Sequence, residues 1–162
     1  EIPGAKDIAI EFHSFSKTFN MTGWRIAFAV GHADLVQGLL RVKTNIDSGP
    51  LLSVQEAAIF ALENSKTLVP PIRKVYAERR QALTEGLEKA GIEYFNPKAT
   101  FFLWAKVPGS ELSLDFTKRM IYEQGLVVTP GSGFGKEGEG FFRLAMTVPT
   151  EQIRAAVTRL RK

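Results

Sequence analysis

The chain has 162 residues, of which 44% are apolar and 23% charged, and its net charge of +4 is spread over interleaved Lys, Arg, Asp and Glu; such proportions mark a globular protein, and without a basic block interleaved with aromatics nucleic acid is not expected as a partner. It has no cysteine, which excludes disulfides and cysteine-ligated metals and fits a reducing, cytoplasmic setting, while two histidines, His13 and His32, are too few for a histidine metal site, so no metal is expected. No apolar run approaches the length of a bilayer, so no membrane association is expected.

The chain opens Glu1-Ile2-Pro3-Gly4, with neither an initiating Met nor a signal-peptide pattern, and reads as the interior of a longer polypeptide. Residues Asp7 to Phe12 alternate as a strand, Ser14–Thr22 is a polar loop, and Trp24–Gly31 is a second apolar strand. Asp34 caps a helix through Val42, Thr44–Pro50 is a turn-rich loop, and Leu52–Glu63 returns to helical spacing. Pro70-Pro71 marks a helix start, followed by Ile72, Val75, Tyr76, Arg79, Leu83, Leu87 and Ala90 at three- and four-residue steps up to Gly91. Ile92–Phe95 and Thr100–Val107 read as strands, and Leu114–Gln124 as a helix stopped by Gly125. Leu126–Thr129 and Phe141–Met146 are further strands, and Thr150–Leu160 is the last helix.

Strands and helices alternate with hairpin-like neighbours, so the expected class is α/β shading into α+β. Residues 1–66 are too short and irregular to stand as a domain alone. Residues 67–162, entered by the long helix, carry their own β–β–α–β–β–α pattern.

The chemistry concentrates in Ser14-Phe15-Ser16-Lys17-Thr18-Phe19-Asn20-Met21-Thr22-Gly23-Trp24-Arg25. Lys17 follows a strand end, Ser14 and Ser16 offer hydroxyls, and Arg25 offers the side chain best shaped for two-pronged phosphate contact. Lysine amines form Schiff bases with aldehyde cofactors once they shed a proton, which a nearby cation and partial burial both favour. Taken by residue type alone, Lys17 reads either as a solvated loop lysine or as a cofactor lysine.

Over Glu11 to Arg25 the sequence resembles fold-type I (class I/II) pyridoxal-phosphate-dependent aminotransferases almost position by position, with Ala27 replacing a customary glycine. The resemblance runs over essentially the whole chain. It implies that residues 1–66 end a large cofactor-binding domain and that 67–162 form the small C-terminal domain. It also implies pyridoxal 5'-phosphate as cofactor, Lys17 as the lysine that carries it, and Ser14 and Arg25 as phosphate ligands, while Ser16 stands as a cofactor-binding candidate by its hydroxyl. Amino-acid and 2-oxo-acid substrates follow, as does a homodimer in the full-length enzyme. The wording of residues 12–25, 45–49 and 127–135 is most similar to LL-diaminopimelate aminotransferase-type members, which implies LL-diaminopimelate and 2-oxoglutarate as the substrate pair.

Arg143, in Phe141-Phe142-Arg143-Leu144-Ala145-Met146, reads either as a solvent-facing strand arginine or as a carboxylate grip. The resemblance implies that it is the anchor for the substrate α-carboxylate. Asn45, in Lys43-Thr44-Asn45-Ile46-Asp47-Ser48-Gly49, fits a turn by type, and the resemblance implies a substrate-side residue on a loop reaching the other subunit. Gly133-x-Gly135-x-x-Gly138 matches a dinucleotide fingerprint by letters, but an apolar strand follows it, so it reads as a glycine-rich turn. Trp104 and Phe101-Phe102 read as core. A carbon–sulfur lyase on the same fold, or a non-catalytic C-terminal interaction or dimerisation domain, remains open.

The family's acidic partner for the pyridine nitrogen, its ring-stacking aromatic and its glycine-rich phosphate loop have no counterpart in these residues. The purified 162-residue chain is therefore expected to show no appreciable transamination in a 2-oxo-acid-coupled assay. Robust turnover by it would contradict that expectation.

Overall fold

A computed structural model describes residues 2–160; Glu1, where the sequence reading places a cut end, lies outside the described residues, as do Arg161 and Lys162. The chain divides into two compact units, Glu1–Ile72 and Arg73–Lys162.

The first unit runs α1 (Ala5–Ile8), β1 (Ile10–Ser14), α2 (Phe15–Thr18), a 3-10 turn (Thr22–Trp24), β2 (Ala27–Gly31), α3 (Ala33–Lys43) and α4 (Leu52–Glu63). Strands β1 and β2 pair antiparallel from Ile10↔Gly31 to Ser14↔Ala27. Asp7 and Ile8, expected in a strand, belong instead to a helical turn. Gly4 sits at φ 80°, and its carbonyl accepts from Asp7 N while Ala5 O accepts from Ala9 N. The left-handed glycine starts a turn that overrides the alternating pattern until Ile10. Helix α3 is capped by His32, whose Nδ1 accepts from Asp34 N at 3.2 Å, so the cap lies two residues before the expected Asp34. The acid still sits in the first turn, where it complements the helix dipole.

Helix α5 (Ser65–Ala90) begins before Pro70-Pro71 and carries both prolines inside. Two missing N–H groups deprive the carbonyls of Lys66 and Thr67 of their usual partners. Both residues are exposed, so water can satisfy those oxygens, and Asn64 O starts the helix by accepting from Thr67 N and Leu68 N. The division between the two units falls within this helix, at Ile72 and Arg73, whereas the sequence places the junction at 66/67.

The second unit adds β3 (Tyr94–Phe95), β4 (Phe102–Lys106), α6 (Ser113–Gln124), β5 (Thr129–Pro130), β6 (Phe141–Ala145) and α7 (Thr150–Val157). Its sheet has the order β3-β4-β6-β5 and is antiparallel throughout. Pro130 is tolerated because β5 is an edge strand. Leu103 and Ala105 of β4 and Phe142 of β6 are buried against Ala82, Leu83 and Leu87 of α5, Phe116 and Met120 of α6, and Ile153 of α7. Burying each large apolar side chain contributes about 1.5–3 kcal/mol before chain entropy is set against it. The pleat sends Phe102, Trp104, Phe141 and Arg143 to the opposite face. Phe102 and Trp104, expected in the core, are thus on the far side from it, since the smaller Leu103 and Ala105 face the helices.

Two short 3-10 turns, Gly131–Phe134 and Lys136–Gly138, fill the glycine-rich segment. Gly131 and Gly138 are buried back to back, and a Cβ on Gly131 would lie 1.9 Å from Gly138 O. The turn is tied to the start of α6 by Glu139. Its carboxylate accepts from Ser113 N at 2.6 Å, Ser113 Oγ at 3.1 Å and Gly140 N at 3.0 Å. Ser132 N donates to Ser113 Oγ at 3.2 Å. The backbone N–H of Ser113, more than any other group, holds the Glu139 carboxyl below the usual glutamate range. A lowered native value means that the stabilisation is complete above the unfolded-state value and is lost as pH falls through the native one. Glu139→Gln should therefore lower the melting temperature near neutral pH, with the gap to the parent closing on acidification through that window. A gap independent of pH across the acid range would contradict the charged tie.

Candidate active site

The register of β1 and β2 places Ser14 opposite Ala27, so the segment from Phe15 to Ile26 is a closed hairpin loop with the two ends side by side. Phe15 N donates to Ile26 O at 3.3 Å, and Thr22 Oγ1 donates to Ser16 O at 3.0 Å. Phe15 is 2% exposed and clusters with Met21, Ala58 and Ala61, flanked by Phe19, Ile26 and Phe28. Its ring meets Phe28 edge-on at 5.6 Å and Phe19 at 5.4 Å. One turn of helix beyond this anchor then carries Ser16 and Lys17.

Ser14 caps that turn, its Oγ accepting from Ser16 N at 3.2 Å. A hydroxyl that accepts one bond keeps its own O–H for an anionic oxygen. Ser16 is buried at 9%, and its amide and carbonyl are engaged by Ser14 and Thr22. Lys17 is exposed, where the sequence reading has it partly buried. Arg25 is exposed at φ 51°, a left-handed conformation that is uncommon and costly for a residue with a Cβ. Its Nη1 donates to Thr22 O at 2.9 Å, using one of five guanidinium N–H donors. Ala27 does not have positive φ, so its methyl is accommodated where the family usually has glycine. Two hydroxyls, an amine and a guanidinium thus share one hairpin end, and this donor set fits an aldehyde cofactor bearing a phosphate.

Asn45 lies on a different loop, past α3. Its Nδ2 donates to Arg41 O at 2.7 Å, closing the helix end. In the same loop the Lys43 ammonium, followed by Gly49 N–H, holds the Asp47 carboxyl below the usual range. These local bonds account for the residue types present, and the whole segment from 41 to 50 is exposed.

Arg143 stands in the middle of the second unit's sheet, paired with Trp104 on β4 and Thr129 on β5. Its guanidinium carbon lies 4.1 Å from the Phe102 ring centre and 4.8 Å from that of Phe134, within cation–π range. Nη2 reaches Thr129 Oγ1 only at 3.5 Å, and Nε is buried with no acceptor among the described residues. An unmet buried donor of this kind costs about 1–3 kcal/mol, more when charged. Phe102 and Phe134 are the neighbours that residue-by-residue reading misses. Strand alternation carries the signal for Phe102, while Phe134 is brought in by a turn whose path no local pattern predicts.

The sequence matches the family model for aminotransferase class I and II over residues 3–160. It is 54% identical to an LL-diaminopimelate aminotransferase of Aquifex aeolicus and 51% identical to that of Natranaerobius thermophilus, over 99% and 98% of this chain but 42% and 41% of theirs. Among solved structures, apo-BacF from Bacillus subtilis superposes with a TM-score of 0.91 at 36% identity, covering 97% of this chain and 40% of that one. A probable N-succinyldiaminopimelate aminotransferase from Thermus thermophilus gives 0.90 at 35%, covering 98% and 42%. The chain thus spans about two fifths of the length of the curated relatives it matches. With a match along nearly its whole length and the lysine hairpin in place, the chain belongs to the class I and II aminotransferase family.

Proposed function

We propose that this chain supplies the lysine, phosphate ligands and carboxylate arginine of a pyridoxal 5'-phosphate-dependent aminotransferase that exchanges an amino group between an amino acid and a 2-oxo acid. The observation that carries the reading is the hairpin end gathering Ser14, Ser16, Lys17 and Arg25. When bound, the cofactor supplies an electron sink that acidifies the substrate Cα–H. Lys17 Nζ would hold the cofactor through its amine, and the same amine, when free, would take the substrate Cα proton as general base and hand it on to the cofactor carbon as general acid. Ser14 Oγ and Arg25 bind the phosphate, with Ser16 setting the turn beneath them. Arg143 binds the α-carboxylate through its guanidinium.

LL-diaminopimelate is the amino donor suggested by the relatives' names, and the sequence resemblance implies 2-oxoglutarate as acceptor. A homodimer, with the exposed Asn45 loop reaching the neighbouring subunit's substrate, and a cytoplasmic location complete the proposal. Among the described residues no helix is long and apolar enough to cross a membrane.

In the full-length protein, Lys17→Ala should abolish steady-state transamination, and retained turnover would remove Lys17 from its role. Arg143→Lys keeps the charge but loses the two-pronged geometry. It should raise KM for the amino acid about tenfold, within the range of a lost charge-assisted hydrogen bond.

A further inference from the structure

The Arg143 guanidinium needs something to hold it in place, and hydrogen bonds within the unit do little of that. Nη2 has a long 3.5 Å contact to Thr129 Oγ1, and Nε has no acceptor among the described residues. The close partners are the rings of Phe102, at 4.1 Å, and Phe134, at 4.8 Å. Phe102 belongs to the sheet. Phe134 does not: it comes from the glycine-rich turn and is 52% exposed, so core burial does not account for its position.

Three contacts hold that turn. The backbones of Gly131 and Gly138 lie so close that neither can carry a Cβ without collision. Ser132 N is bonded to the fully buried Ser113, and Ser113 is in turn held by Glu139. The Trp104 ring then meets Phe134 edge-on, with centroids 5.5 Å apart and planes at 75°. A turn built so tightly, ending in a half-exposed aromatic against a cation, is costly to keep for packing alone.

We propose that Phe134 is a positioning residue: held by the glycine-rich turn and Trp104, its ring fixes the orientation in which the Arg143 guanidinium meets the substrate α-carboxylate. The proposal rests on the reading of Arg143 as the carboxylate anchor. It gives the glycine-rich segment, which binds no nucleotide on its sequence context, a role in substrate recognition. Removing the ring frees the guanidinium to rotate, which weakens carboxylate binding while leaving the chemistry at Lys17 in place.

The test uses the full-length holoenzyme. Phe134→Leu keeps apolar bulk but loses the π face, and it should raise KM for the amino acid about fivefold, the size of one partly desolvated cation–π contact, while kcat moves less. Phe134→Tyr, which restores a ring, should bring KM back to within about twofold of the parent. In an Arg143→Lys background Phe134→Leu should add nothing, because no guanidinium remains to orient. Single-turnover conversion of 1,5-diaminopentane, an amine with no carboxylate, should be unaffected by Phe134→Leu. An unchanged amino-acid KM in Phe134→Leu, or an equal slowing with the diamine, overturns the proposal. If Arg143→Lys raises KM but Phe134→Leu does not, only the positioning role fails. If Arg143→Lys itself leaves KM unchanged, the carboxylate reading fails with it.

Discussion

Burial of Phe15 is the constraint on which the lysine hairpin depends. Its ring is 2% exposed in a cluster with Met21, Ala58 and Ala61, and its carbonyl accepts from both Phe19 N and Met21 N. With that side chain fixed, the backbone of the next residues is fixed too, and Lys17 is carried to the opposite, exposed side of a single helical turn. The antiparallel register from Ile10↔Gly31 to Ser14↔Ala27 then brings the arginine end of the loop back beside the serine end. An apolar anchor of about 1.5–3 kcal/mol thus organises four polar groups, of which only Ser16 is itself buried.

The second unit solves a related problem in the opposite way. Arg143 is placed by a regular strand, in register with Trp104 and Thr129, and is braced by aromatic faces more than by hydrogen bonds. Leaving Nε without a hydrogen-bond partner is unfavourable in isolation, as it is for Arg79 Nε and Gln124 Oε1 among the described residues. Left-handed Arg25 is a backbone counterpart of the same pattern, with local strain tolerated where a side chain has to be aimed. Both departures from ideal local chemistry fall at residues the family resemblance also marks.

Much of the architecture is legible in the sequence because the local signals agree. Helix α4 (Leu52–Glu63) has the bounds its spacing predicts, and Gly125 ends α6 in the left-handed conformation expected of a C-terminal glycine. The alternation in β4 and β6 marks the strands but not which face is core, because both faces carry large apolar side chains. Helix α5 is longer than its sequence suggests, since a proline pair is ordinarily a start signal, yet exposed carbonyls let it sit inside a helix. Of the site, Ser14, Lys17 and Arg25 are close in sequence and can be grouped by spacing. The bracing of Arg143 by Phe134, and the tie from Glu139 to Ser113 across 26 positions, depend on tertiary folding and leave no periodic trace.

The most direct test of the central claim is chemical trapping of the cofactor. The full-length protein, incubated with pyridoxal 5'-phosphate and reduced with borohydride, is digested and mapped by mass spectrometry. A pyridoxyl adduct on the peptide containing Lys17, absent from Lys17→Ala, is the expected result. A stoichiometric adduct on another lysine, with Lys17 unmodified, would contradict the assignment of this hairpin as the cofactor site.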